Sequence, residues 1–349
     1  MREAWHIVVA GAGGNTGSLL IPHVARMPDV MRLTLVDPDA YEQRNLPVQD
    51  IAISDVKQSK ARVQAARVES INPGVHVLAF ESRIEDLPRG LLRCDLIVSC
   101  LDSRAARQFV NEIAFRLGVS WIDCGVLGGQ NLARVNAYDP SMSSPCVECP
   151  WGPADYALIE QEYICGASGG TRPTMASSAL GALAASLVAM EIPKLLGGDR
   201  SASLIARQLI VDARHHRLIT SKLARNTACR FDHGTWSIAQ WPCRLGSTTV
   251  GEALSALGEL QIAGHRFVRA LVCPGCGWQS EGSLRLNRPF AHCIACGRRM
   301  ASPGFDARDQ LGSGLEADSR ALTLAQVGLR AGDLVSAGDC HYELVEEAA

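Results

Sequence analysis

From residue 5 to about 125, short apolar runs alternate with longer stretches whose apolar positions recur at helical spacing. That is the pattern of a parallel sheet covered by helices. Five runs read as strands: Ile7–Ala10, Leu33–Val36, Val75–Phe80, Leu96–Cys100 and Trp121–Cys124. Between the second and third, Ser59–Ile71 spaces Ala61, Val63, Ala66 and Val68 among charged residues, and Asn72-Pro73-Gly74 stops the helix. The alternation predicts a doubly wound α/β domain.

Residues 139 to 174 interrupt it with Pro, Gly and Ser and carry Cys146, Cys149 and Cys165, which predicts a long functional loop. A helix rich in Ala, Ser and Leu is expected from Met175 to Leu196, broken late by Pro193, ended by Gly197-Gly198 and buried on the sheet. Beyond about residue 240 come short strand-like runs, paired cysteines and a polar stretch from Asp306 to Asp318. A boundary near Trp241 therefore divides the chain into domains of residues 1–240 and 241–349.

Composition narrows the partners. The 349 residues carry a formal net charge of −2 with both signs mixed, so neither nucleic acid nor an anionic membrane is expected. The first residues run directly into the apolar strand without an export signal, which predicts a cytoplasmic protein. Thirteen cysteines in a reducing compartment, several at metal-ligand spacing, predict zinc in place of disulfides.

The loop Gly11-Ala12-Gly13-Gly14-Asn15-Thr16-Gly17 lies between a predicted strand and a predicted helix. There, missing side chains let backbone N–H groups and the positive helix end approach a phosphate. Asp37 follows the next strand, roughly 20 residues beyond the loop, where a nucleotide fold places its ribose-binding acid. The polar segment from Val36 through Asp37, Asp39, Arg44, Asn45 and Val48 to Gln49 departs from a nicotinamide-binding protein. Here the sequence resembles the ThiF/MoeB/HesA family and the ubiquitin-activating enzymes that share its Rossmann-like fold. Their pattern is a strand ending D-x-D, then S-N-L-x-R-Q, and later G-x-x-K.

The resemblance implies ATP held by Gly11, Gly13 and Gly14, with Asp37 and Asp39 on the ribose, Asn45 beside it and Lys60 on the triphosphate. Two positions depart from the pattern: Arg44 stands for the serine and Val48 for the arginine. Loss of that arginine removes a cation expected to stabilise phosphate charge. Arg44 either reaches the phosphates in its place or is a solvated surface charge. Asp102 and Ser103 follow the fourth strand, at a carboxyl end where open α/β sheets bind ligands. In the family this aspartate holds Mg2+ against ATP; the alternative reading is a cap for the next helix. The implied chemistry is attack of a peptide C-terminal carboxylate on the α-phosphate, with pyrophosphate leaving. A carboxylate needs no general base, so charge and alignment suffice.

Cys165 has Gly169 and Pro173 at the family's spacing before the small-residue helix, which implies a thiol that takes the activated carboxyl group or sulfur. Cys94, Cys100 and Cys124 lie in apolar runs and read as core thiols. Cys146 and Cys149 form half a zinc site; relatives supply a second C-x-x-C, where this chain has Cys229 and His233, with Asp232 or Cys243 as alternatives to the histidine. Cys273, Cys276, Cys293 and Cys296, in a C-x2-C-x16-C-x2-C arrangement, predict a zinc ribbon over about 271–299. Leu322 to Val335 reads as a short helix, a turn and a strand. It looks like the end of the β-grasp domain that closes ubiquitin-activating enzymes and recruits a conjugating enzyme, and Thr248–Leu254 would open it. Three readings stand: activation of a ubiquitin-like protein with thioester transfer, sulfur transfer to a carrier protein, or a non-catalytic subunit of an activating complex. A homodimer is the expected assembly.

Overall fold

The computed structural model describes residues 4–140, 144–161, 176–279, 284–287, 293–298, 300–301 and 307–347, the side chains of 160 and 161 excepted. Two compact units result: residues 1–87 with 92–235, and residues 88–91 with 236–349. The division falls ahead of Trp241 because the strand Ile238–Cys243 pairs within the second unit's sheet.

The first unit is built on eight strands: β1 (Trp5–Ala10), β2 (Val30–Val36), β3 (His76–Phe80), β4 (Leu96–Ser99), β5 (Ser120–Leu127), β6 (Leu132–Tyr138), β7 (Arg207–Asp212) and β8 (Arg217–Lys222). Their order is β3-β2-β1-β4-β5-β6-β7-β8. The first five pair in parallel, and β6 to β8 continue the sheet antiparallel. The order reverses between β1 and β4, which opens the crevice in which such sheets take ligands at their carboxyl ends. β1 and β4 are buried on both faces, so they read as continuous apolar runs with no alternation.

Helices α1 (Asn15–Val24), α2 (Lys60–Ile71), α3 (Arg104–Leu117), α4 (Pro153–Gln161) and α5 (Ser178–Leu196) complete the unit. Ser59 and Ser103 cap α2 and α3 by accepting the N–H of Arg62 and Ala106, and Ser177 caps α5 through Leu180. Pro193 does not break α5; it lies inside the helix, which runs on to Leu196. α5 is long and apolar enough to cross a membrane by length and composition alone. In this fold Ala185, Val188, Ile192 and Leu195 join the sheet core, while Leu183 and Met190 remain exposed. Its small residues permit close approach: a Cβ on Gly181 would stand 2.1 Å from Asn15 Oδ1.

The second unit holds a mixed five-stranded sheet in the order β13-β10-β14-β15-β9: β9 (Ile238–Cys243), β10 (Leu260–Gln261), β13 (Gln310–Leu311), β14 (Leu334–Ala337) and β15 (Cys340–Glu346). β9 and β15 pair in parallel and the other neighbours antiparallel. Helix α6 (Val250–Leu257) follows β9, and Thr249 with Glu252 forms a capping box at its start. The short helix expected from Leu322 is displaced: α7 spans Ala317–Ala321, and residues 322–333 form turns whose Leu324, Val327 and Leu329 enter the core. The reason is visible in Gly328 and Gly332, both at positive φ. A small ribbon, β11 (Arg266–Val268) with β12 (Arg285–Asn287), adjoins a separate core of Val268, Leu271, Cys273, Cys293 and Met300.

At the β1–α1 turn the backbone itself is closely packed. A Cβ on Gly17 would lie 2.1 Å from the Gly11 carbonyl oxygen and 2.8 Å from that of Ala12, both backbone atoms that cannot swing aside. Gly17→Ala is expected to lower stability by about 1–3 kcal/mol in urea unfolding. Gly129→Ala, where nothing lies within 4 Å, should leave the midpoint unchanged.

Candidate functional site

The phosphate-type loop takes its shape from Gly11, at φ +76°, whose N–H donates to Val36 O at 2.8 Å. A side chain there would collide with Cys100 O at 2.6 Å, so the loop lies directly on the end of β4. Gly14 is the extended N-cap of α1 and has no side chain to offer, leaving the helix end to be satisfied by something else. Gly13 is pinched: a Cβ would meet Lys60 Cβ at 2.3 Å and Tyr41 Oη at 2.8 Å. Substituents are thus excluded where a phosphate would need to approach the backbone.

Asp37 joins this loop to the segment that follows β2. Its carboxylate accepts the Gly13 N–H at 2.9 Å and the Asp39 N–H at 3.1 Å. Only 4% of its surface is exposed, and burial raises its proton affinity, against the opposing pull of Lys60 and the two N–H groups. Lys60, itself buried, donates from Nζ to Asp39 Oδ2 at 3.0 Å, lies over the Tyr41 ring at 5.9 Å and is fixed through its own N–H to Asp39 O. Gln64 holds Tyr41 by donating to its hydroxyl at 2.8 Å. Gly11, Gly13, Gly14, Asp37, Asp39 and Lys60 are therefore gathered at the crevice. Asn45 closes a turn, its Oδ1 accepting the Glu42 N–H at 2.8 Å. Arg44 turns instead to Glu42 Oε1, 2.7 Å away in an exposed ion pair, which is the solvated alternative. Val48 has no cation to offer; its carbonyl accepts from Asn15 Nδ2 at 2.6 Å.

Asp102 is exposed at the carboxyl edge, between β4 and α3, while the Ser103 hydroxyl is spent on the α3 cap. Beneath them lies an ion cluster that sequence reasoning missed. Asp123, with no exposed surface, accepts from Arg107 Nε at 2.9 Å and from Arg134. Arg107 also donates from Nη2 to Leu101 O at 2.5 Å, fixing the residue before Asp102. Burial pushes Arg107 down, but Asp123, Cys124 and Asp102 outweigh it and keep the cation protonated. A charge inside the apolar run Trp121–Cys124 was the available signal, since buried acids are rarely unpaired.

Cys146, Cys149, Cys229 and His233 converge although the last two follow in sequence only after β8. Cys146 Sγ lies 3.7 Å from both Cys149 Sγ and Cys229 Sγ, and Cys149 Sγ is 3.3 Å from His233 Nε2. Ligands at the zinc distances of a tetrahedral site lie about 3.5–3.8 Å apart, whereas a disulfide needs about 2.05 Å. The donor set fits zinc. The Cys146–Cys149 hydrogen bond lowers the Cys149 thiol and raises that of Cys146, as expected of two thiols that share a proton. Of the alternatives, Asp232 is taken by Arg116 at 2.7 Å and Cys243 is buried in the second unit's core. Between the paired cysteines, Glu148 accepts from Gln108 of α3 at 2.9 Å and from the Tyr156 hydroxyl of α4 at 3.1 Å, tying the knuckle to both helices.

The second unit brings Cys273, Cys276, Cys293 and Cys296 together, with Cys273 Sγ 3.4 Å from Cys296 Sγ and Cys276 Sγ 3.5 Å from Cys293 Sγ. Four thiolates at this separation also fit zinc. Of the core thiols, Cys124 is buried, and Cys100 lies 3.5 Å from it. Cys165 lies outside the described residues.

Because Asp37 binds its proton more readily folded than unfolded, it makes stability fall as pH rises from its ordinary value of 3.8 through its raised native value. Asp37→Asn should lack that decline, so the stability difference, variant minus wild type, increases with pH across that window in urea unfolding.

The profile of the ThiF family matches residues 1–231. The chain is 28% identical over 203 residues to "Adenylyltransferase and sulfurtransferase UBA4" of Yarrowia lipolytica, covering 56% of this chain and 47% of that protein. It is 27% identical over 171 residues to "Sulfur carrier protein ThiS adenylyltransferase" of Escherichia coli, covering 48% and 62%. The chain thus spans about half to three fifths of the length of these curated relatives. In fold it is similar to E. coli MccB solved with ATP, with a TM-score of 0.53 over 66% of each chain at 18% identity. With most of its length matched by that one profile, the chain belongs to the ThiF family.

Proposed function

We propose that this protein uses ATP to adenylate the C-terminal carboxylate of a small ubiquitin-like or sulfur-carrier protein. The observation that carries the reading is the Asp37–Gly13 contact with Lys60 and Asp39 beside it, at the mouth of a crevice whose loop excludes side chains. Gly11, Gly13 and Gly14 would cradle the phosphates by backbone N–H groups, and Asp37 and Asp39 would take the ribose hydroxyls. Binding then releases Lys60 from Asp39 toward the phosphate charge, where a partly desolvated ammonium acts strongly. Asp102 supplies an oxygen donor suited to Mg2+, which would neutralise phosphate charge there, and Arg107 anchors the loop that carries it. The bound carboxylate attacks the α-phosphorus, the bond to the β-phosphate oxygen breaks, and pyrophosphate leaves with an acyl-adenylate behind.

Further along, the reading takes Cys165 as the thiol that displaces AMP to form a thioester, and the second unit as a β-grasp-like module that docks a conjugating enzyme. The parallel β9–β15 pair with α6 following β9 supports that module. A second reading, sulfur transfer to a carrier protein, is favoured by the names of the two relatives described above. On either reading the chain works as a homodimer.

ATP–pyrophosphate exchange, measured with candidate small proteins ending in Gly, tests adenylation. Exchange is expected with one of them and should fall roughly 100-fold in Lys60→Ala; no exchange with any would sink the reading. Cys165→Ala should retain exchange. Loss of a reductant-labile enzyme adduct in that variant supports the thioester, and a thiocarboxylate product supports sulfur transfer.

A further inference from the structure

The two four-ligand clusters differ in one respect that governs their chemistry. In the first unit Cys146 and Cys149 are buried, Cys229 is partly covered, and no ligand is exposed. The second cluster alternates: Cys273 and Cys293 are buried, at 1% and 2% exposure, whereas Cys276 and Cys296 are exposed to solvent. Two close sulfur–sulfur contacts pair unlike partners. Exposed Cys296 lies 3.4 Å from buried Cys273, and exposed Cys276 lies 3.5 Å from buried Cys293. The surrounding residues leave the exposed sulfurs open: Pro274, Gly275, Gly277, Ala295 and Gly297 are all exposed, and a Cβ on Gly277 or Gly297 would meet nothing within 4 Å.

We infer that the Cys273–Cys276–Cys293–Cys296 cluster is a peroxide-reactive zinc site, which yields its metal on oxidation while the Cys146–Cys149–Cys229–His233 site keeps its own. An oxidisable thiolate must be reachable and must have a resolving thiol at hand. Each exposed sulfur here has both. A hydroperoxide attacks the Cys296 thiolate, the O–O bond breaks, and a sulfenic acid forms with release of water or an alcohol. The Cys273 thiolate then attacks the sulfenic sulfur, closing a disulfide, and a second water leaves after protonation. Cys276 and Cys293 react alike, so four thiolates, two hydrogen peroxide molecules and four protons give two disulfides and four waters. A disulfide sulfur is a poor zinc ligand, so Zn2+ departs. The closure moves each pair inward from about 3.4–3.5 Å to about 2.05 Å.

The full-length chain, purified with zinc, is expected to hold two equivalents by elemental analysis. Hydrogen peroxide in the presence of a chromophoric zinc chelator should release the first equivalent at least about tenfold faster than the second. Peptide mapping after alkylation at that stage should find Cys273 linked to Cys296 and Cys276 to Cys293, with Cys146, Cys149 and Cys229 still alkylated as thiols. Thiol reductant with added zinc should restore the second equivalent. Cys296→Ser provides an independent arm, in which only the Cys276–Cys293 disulfide should form. Release of both equivalents at one rate, earlier oxidation of Cys146 or Cys149, disulfides within the C-x-x-C pairs, or a chain that holds no zinc at Cys273 to Cys296 would overturn the inference.

Discussion

The carboxyl-end crevice of the first unit hangs on one buried carboxylate. Asp37 accepts the N–H of Gly13 on one side and of Asp39 on the other, and so fixes the β1–α1 loop against the segment that brings in Lys60. Its burial makes this costly, because a carboxylate with little solvent contact is stabilised only by the groups aimed at it. The fold tolerates the cost at the topological switch point, where α/β sheets concentrate their chemistry. Lys60 can approach Gly13 only because that residue has no Cβ, and Asp39 cannot hold Lys60 unless the turn after β2 is held by Asp37.

Much of this was readable from residue types and spacing. Continuous apolar runs marked the parallel strands because both faces are covered, and the glycine loop announced a close approach of backbone. The C-x-x-C at Cys146 found its distant partners because few residue types bind zinc, and only the choice of His233 needed the three-dimensional arrangement. What remained hidden had a common physical character. Arg107, Asp123 and Arg134 come from α3, β5 and β6, and the ion cluster they form depends on strand register, which no local pattern encodes. Asn15 likewise bridges to Val48 O and Ser177 O, partners 33 and 162 residues away. The short helix read from Leu322 misled because the apolar residues there do enter a core, but from turns bent by Gly328 and Gly332, ahead of the strand that does form.

Position 48 separates this chain from its family's pattern in a specific manner. Where an arginine side chain was expected, the backbone serves as an acceptor for Asn15 at the first position of α1. Arg44 does not replace that cation, being paired with Glu42, so among the described residues Lys60 and the helix end bring positive charge to the crevice. A site with fewer fixed charges depends more on alignment, and the Arg107–Leu101 contact beneath Asp102 gives it that.

The segment Pro88–Leu91 belongs to the second unit although the chain on both sides of it belongs to the first. Gly90 donates its N–H to Gly332 O at 2.7 Å, and a Cβ there would strike Glu343. A ribosome makes this strap long before it makes Gly332. The nascent strap must therefore wait for this contact until Gly332 emerges, and a truncation at Thr235 would leave it permanently without that partner.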